Sequence, residues 1–405
     1  MRARNVLLPA LCVTTAGVLL LASPAAAVGN YLSWTAGGGG NEEVSTAANW
    51  DAPPLGSDDY VSFDAGSHAH NDLALDTLIR QIRFTTPGFL FNGNRIQLGS
   101  GGILADVNAT TNLDINISVD QTWTASLGQT LVNSGTVNVL NGELTIDGPG
   151  TIEFANRIDG FGGVGRVVKQ GSGTLLLSGG GGTINTTLPG DHGLDVRAGD
   201  LVVTGMLAGT DFVVNGGVLR GGNSSNSLLG VVRELLLNSG SLSPGLAAGD
   251  VSTIHTWEPL VANAAGILEV DIDGATSDSF DVYKNVTLNS PTLHLNVVNA
   301  PLVGTVFPII TTGVGTVTGD LTTRAGTILT SGEFIDNGHR WNLNITESAV
   351  SVEYLGAVPA APTAPALAST GVTTTWLIPV GGAMAVLGIL FIAFRRFGSS
   401  APSRR

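Results

Sequence analysis

Through the middle of the chain, apolar and polar residues alternate in short runs, and glycines open and close those runs. Leu144 and Ile146, Leu175 and Leu177, Leu201 and Val203, then Leu268, Val270 and Ile272 occupy alternate positions. A period of two is that of a strand with one face against a core. The opening glycines recur as Gly-x-Leu at Gly142, Gly173, Gly199, Gly217, Gly240 and Gly266, at intervals of 31, 26, 18, 23 and 26 residues. Such a spacing is the period of a solenoid. Gly148, Gly179, Gly205 and Gly274 close several runs and supply turns. Helical patterns are missing between the runs, which argues against crossover helices and a doubly wound sheet. Residues 28–356 are therefore predicted to be all-β, a right-handed parallel β-helix whose terminal turns need protection.

The two ends follow other patterns. Residues 1–27 have a cationic start, an apolar run from Val6 to Leu21 and the small residues Ala25, Ala26 and Ala27. This is the layout of a secretory signal peptide, with cleavage expected after Ala27 and Ala25 at the other small-residue position. The only cysteine, Cys12, lies inside that segment, so disulfides do not staple the exported protein. Near the other end, residues 372–394 are apolar apart from three threonines. At ~1.5 Å per residue they reach across a ~30 Å hydrocarbon core as one C-terminal transmembrane helix. Arg395 and Arg396 follow and place the tail in the cytoplasm. Ahead of the span, residues 357–366 form an uncharged Ala/Pro spacer.

Charge sharpens this division. All 32 acidic residues lie between Arg2 and Arg4 at one end and Arg395, Arg396, Arg404 and Arg405 at the other. Without those six arginines, 12 basic residues face 32 acidic ones, so the body carries about 20 net negative charges. With only Lys169 and Lys284 as lysines, it lacks the basic surface that a phosphate backbone requires, which excludes nucleic acid as a partner. Glycine supplies 56 of 405 residues without a three-residue period, which excludes collagen.

Two resemblances follow from particular residues. Leu367-Ala368-Ser369-Thr370-Gly371, then a hydrophobic span, then a basic tail, resembles a Gram-positive cell-wall sorting signal of the LPXTG-like kind, in the Leu-Ala-x-Thr-Gly form associated with class E sortases of actinobacteria. The resemblance implies a cell-wall protein that is a sortase substrate, with sortase and a peptidoglycan precursor as partners, cleavage after Thr370, and membrane contact through residues 372–394 before processing. Lys169-Gln-Gly-Ser-Gly-Thr-Leu-Leu-Leu-Ser-Gly179 resembles the core of autotransporter-associated β-strand repeat proteins, as do Ser45 to Asp51, Asp58-Asp59 with Phe63, and Ser243-Pro-Gly245. That family implies a β-helical passenger. The sequence departs from it in carrying a sorting signal where an outer-membrane barrel is expected.

Chemistry is sparse. Glu269, Asp271 and Asp273 alternate on one strand and share its outer face, an arrangement of oxygens that suits Ca2+; it does not fit an EF-hand loop, because Gly274 stands at the wrong position. Asp278 and Asp281 lie just beyond. His68 and His70 share a strand face without a third ligand nearby. No Gly-x-Ser-x-Gly, His-Glu-x-x-His or phosphate-binding loop occurs, and no cofactor is expected. The leading expectation is an exported, wall-anchored structural or adhesive protein, an adhesin with a host or matrix surface ligand rather than an enzyme. The alternative is a β-helix enzyme that processes polysaccharide, a lyase or a glycosidase with paired carboxylates.

Overall fold

The computed structural model describes residues 29–52, 55–160, 165–179, 193–204, 211–222 and 234–359. The predicted signal peptide, the sorting pentapeptide and the span at 372–394 lie outside them. Among the described residues there is no α-helix, only a 3-10 turn at Ala47–Asn49, and no helix is long and apolar enough to cross a membrane.

The strands stack as a parallel β-solenoid. A first side begins with Tyr31–Trp34 on Asp59–Phe63 and continues turn by turn to Val286–Asn299 on Val317–Thr322. A second side begins with His68–Asn71 on Phe89–Gly93 and includes Thr151–Phe154, Thr174–Leu177 and Asp200–Val203. A third side is described in two stretches. One includes Ile115–Ile117 and Val137–Val139; the other is Thr253–Thr256, Ser279–Val282 and Val306–Thr312.

The alternation in the sequence is what fills the interior. Val61 and Phe63, Ile82 and Phe84, Trp123, Leu144 and Ile146 all point inward and are buried, and like stacks on like: the Phe63 ring lies 5.4 Å from Phe84 and 4.5 Å from Phe89. Each such side chain contributes roughly 1.5–3 kcal/mol, realised only when the neighbouring turn is in place.

The corner between the first and second sides explains most of the glycine period. A Cβ on Gly173 would sit 2.0 Å from the Gly150 carbonyl oxygen, one on Gly199 2.4 Å from that of Gly173, one on Gly217 2.7 Å from that of Gly199, and one on Gly240 2.2 Å from that of Gly217. The backbones approach too closely for any side chain. Gly142 belongs to a different corner, where its Cβ would meet Val119, and Gly150 takes its place in the column. The 31-residue first interval is thereby corrected to the 23 residues from Gly150 to Gly173. Sequence matching missed Gly150 because Thr151 and Ile152 follow it, not a leucine.

Both ends are covered. At the start, the Ser45–Asp51 segment folds over the first turn: Asn49 accepts from the Gly38 N–H at 2.8 Å and donates to the Asn41 and Glu43 carbonyls. Trp50 donates to the Val44 carbonyl at 2.8 Å and meets Trp34 edge to face at 5.1 Å. At the far end, the parallel helix predicted through residue 356 gives way to antiparallel pairing. Val306–Thr312 pairs with Ala349–Ala357, which pairs with His339–Ile345, which pairs with Gly332–Asp336. These strands bury Trp341, Leu343 and Val352. Asp336 accepts the Leu295 N–H at 2.7 Å, so a side chain satisfies part of the last second-side strand. Strand pairing reaches Ala357, the first residue of the predicted spacer.

Candidate ligand-binding surface

Of the residues singled out in the sequence, Ala25, Ala27 and Leu367 to Gly371 lie outside the described residues. Glu269, Asp271 and Asp273 do share the outer face of one second-side strand, between the buried Leu268, Val270 and Ile272. Each of the three carboxylates already accepts at least one hydrogen bond. Glu269 accepts from Ser241 at 3.2 Å, Asp271 from the Gly249 N–H at 2.6 Å and from Asn296 at 2.7 Å, and Asp273 from Asn299. Among the described residues no group of three or more His, Cys, Asp or Glu side chains is placed to hold a metal ion. Asp278 does not join the row; it is fully buried and accepts the N–H groups of Ser252 and Asp271 at 2.7 and 2.8 Å. Burial pushes its carboxyl up to about 8, against the pull of those two N–H groups. Burial likewise holds His294, which follows Glu269 one turn on and lies 3.8 Å from Asp336, below the usual imidazole range. His68 and His70 go to separate partners, Glu42 and Asn92.

Asp281 belongs to the third side, in the most distinctive outward surface. Each strand there alternates: Ile254, Phe280, Val282 and Ile310 face the core, while His255, Asp281 and Thr311 face out in one parallel register. The His255 Nδ1 lies 2.7 Å from Asp281, and Thr311 donates to the same carboxylate at 3.1 Å. The chain then turns the corner through Trp257, Tyr283 and Val314. Backbone bonds hold these corners in line, from the Tyr283 N–H to the Thr256 carbonyl at 2.7 Å and from the Val314 N–H to the Tyr283 carbonyl at 2.8 Å. The Trp257 and Tyr283 rings lie 5.1 Å apart at 44°, and the His255 ring meets Trp257 at 5.7 Å. Beside them Lys284 pairs with Glu258 at 2.6 Å. Trp34, Trp50, Trp123 and Trp341 are buried, whereas Trp257 is 46% and Tyr283 38% exposed. Each described carboxylate in this patch thus has a partner, Glu258 in Lys284 and Asp281 in His255 and Thr311.

A second surface lies at the opposite end of the solenoid. Tyr31 stacks on Tyr60 at 4.4 Å, and the Arg80 guanidinium sits 5.8 Å from the Tyr60 centroid. Arg80 is held by Asp58, whose carboxyl it keeps below the usual range. A cavity of about 200 Å³ opens beside the rings, lined by Ser33, Asp51, Gln81 and Arg83 among others.

No protein-family model matches the chain, and no curated protein does. Neither aromatic surface was found in the sequence. A signal was present for the first: Trp257 and Tyr283 are 26 residues apart, the interval from Gly240 to Gly266.

Proposed function

We propose that the chain is an exported protein of the cell surface, anchored at its C-terminal end, whose solenoid serves a structural or adhesive role. The order of sequence features carries this reading: an export signal over residues 1–27, the Leu367–Gly371 pentapeptide, an apolar span at 372–394 and the Arg395-Arg396 pair. The span and basic tail stall export and hold the pentapeptide at the outer membrane face. A sortase cysteine then attacks the Thr370 carbonyl, the Thr370–Gly371 amide breaks, and Gly371 leaves as an amine. The amine of a peptidoglycan precursor displaces the thiolate, forming a new amide at Thr370. The architecture suits such a role, since a solenoid with both ends covered presents long outward faces for contact. Outward aromatic rings add adhesive capacity.

Fractionation tests the anchoring. Thr370→Ala is expected to move the protein from the muramidase-released wall fraction into the detergent-soluble membrane fraction. Wild-type protein found only in detergent extracts, with Arg405 as its last residue, overturns the covalent attachment.

A further inference from the structure

The Trp257–Tyr283 corner calls for an occupant. Apart from the Tyr31–Tyr60 pair at the first turns, the large aromatic rings of the solenoid sides are turned inward, because a buried ring removes the most apolar surface from water. Here two are turned outward on successive turns, with Val314, 69% exposed, on the third. The turn-by-turn repetition makes the patch a strip that runs along the solenoid axis, one step per turn. A parallel row of polar groups, His255, Asp281 and Thr311, accompanies it. At the third step Gly313 keeps the strip open: a Cβ there would stand 2.7 Å from the Tyr283 ring and displace it.

Charge decides what can lie on such a strip. The chain carries a formal charge of −14, yet among the described residues of the strip Lys284 is paired with Glu258, and the Asp281 carboxylate is engaged by His255 on one side and Thr311 on the other. Among the described residues an anionic polymer finds no free cation there, and a basic peptide finds Glu258 taken by Lys284 and the Asp281 oxygens already engaged by His255 and Thr311. The complementary ligand is uncharged, extended and repetitive, with apolar C–H faces for the rings and hydroxyls for the polar row of His255, Asp281 and Thr311. These are the properties of a neutral hexose polymer.

We propose that the outward strip formed by Trp257, Tyr283, His255, Asp281 and Thr311 binds a neutral polysaccharide chain laid along the solenoid axis. This deepens the adhesive reading, on which it rests, by giving the ligand's chemistry. Ring stacking provides the affinity and the polar row fixes the register. Salt has little influence, because the ligand carries no charge to be screened.

The test uses the purified full chain in detergent, with soluble glucan and mannan oligosaccharides as probes and tryptophan fluorescence and calorimetry as readouts. A change in emission that saturates with oligosaccharide and persists in high salt is expected. Trp257→Ala and Tyr283→Ala should each weaken binding roughly tenfold, with the far-UV spectrum and melting temperature unchanged. Trp257→Phe, which keeps a ring, should retain part of the affinity and serves if the alanine variant folds poorly. Absence of binding to every neutral oligosaccharide, or binding indifferent to both alanine variants, overturns the proposal. So does sedimentation showing that Trp257→Ala abolishes self-association instead, since the occupant is then a second copy. Adhesion of whole cells with and without the protein is measured alongside. If adhesion depends on the protein while purified chain ignores neutral glycans, this proposal fails and the adhesive reading stands.

Discussion

Lys169 is the residue that departs furthest from the solenoid's own rule. It occupies an inward position, stacked between Ile146 and Val196, and is 1% exposed. Its Nζ donates to the carbonyls of Gln170 and Gly171 at 2.9 Å each and of Ala198 at 3.1 Å, so the ammonium ties one turn to the next. The lysine of the Lys-x-Gly-x-Gly-Thr-Leu segment thus has a structural purpose. Lys169→Ala should cost on the order of 2–4 kcal/mol, from lost packing and three carbonyls left without their donor. Lys169→Met, which keeps the volume, should cost less and still destabilise; a methionine variant as stable as wild type in urea overturns this account. Two buried groups also set opposite pH dependences. The folded-state value of Asp278 is raised from 3.8 to about 8, so the folded chain holds the extra proton, and stability is lost as pH climbs through that window. That of Lys169 is lowered by burial from 10.5 to about 8, so the unfolded chain holds the extra proton, and stability is regained between about 8 and 10.5. Urea midpoints at pH 5, 8 and 10 should fall and then rise. Asp278→Asn should flatten the first limb and Lys169→Met the second; variants that leave both slopes intact refute the assignment.

Between strands, the corners carry the specificity. Outside the glycine column runs a ladder of amides: Asn215 donates to Asp195 at 2.8 Å, Asn238 to Asn215 at 2.9 Å, Asn263 to Asn238 at 2.8 Å and Asn289 to Asn263 at 2.8 Å. Each rung joins one turn to the next, and chained amides polarise one another. Asn238→Ala removes two of these bonds and should cost about 1–2 kcal/mol, whereas Asn289→Ala removes one and should cost about half as much. Equal costs in urea denaturation rule out a ladder of this kind. Gly217→Ala places a Cβ 2.7 Å from both the Gly199 oxygen and Val196 Cγ1, and should cost about 1–3 kcal/mol. The elements show why part of the fold was legible. Alternation and glycine spacing are local and repeat, so Gly173, Gly199, Gly217 and Gly240 marked the right corner. The asparagine ladder escaped because its rungs are separated by 20, 23, 25 and 26 residues and carry no distinctive local context. Trp257 and Tyr283 escaped for the same reason: an aromatic residue after a strand reads as core until the register shows which way it turns.

At the scale of the whole unit, a solenoid is close to one-dimensional, since each turn contacts mainly its neighbours and the ends are where it opens. The antiparallel strands from Gly332 to Ala357 cover that weak end, and Trp341, fully buried between Phe334 and Tyr354, is their keystone: its ring lies 5.0 Å from Tyr354 and its strand partner is Phe334. The sequence predicted that the terminal turns need protection but not its form, because antiparallel pairing depends on contacts that no repeat period encodes. Trp341→Ala should cost about 3–5 kcal/mol within this cap. Its effect should be local: with the cap loosened, Asp336 no longer holds the Leu295 N–H, and the last turns lose their cover. Hydrogen exchange followed by mass spectrometry on the full chain should show faster exchange from Val286 to Thr322, while Gln121 to Leu177, several turns away, keeps its wild-type protection. The freed edge of Val306–Thr312 should also raise light scattering with time, as an uncovered strand recruits other chains. Uniformly accelerated exchange from end to end would mean that the solenoid unfolds as one cooperative body, and that these strands contribute to the whole structure instead of sealing one end of it.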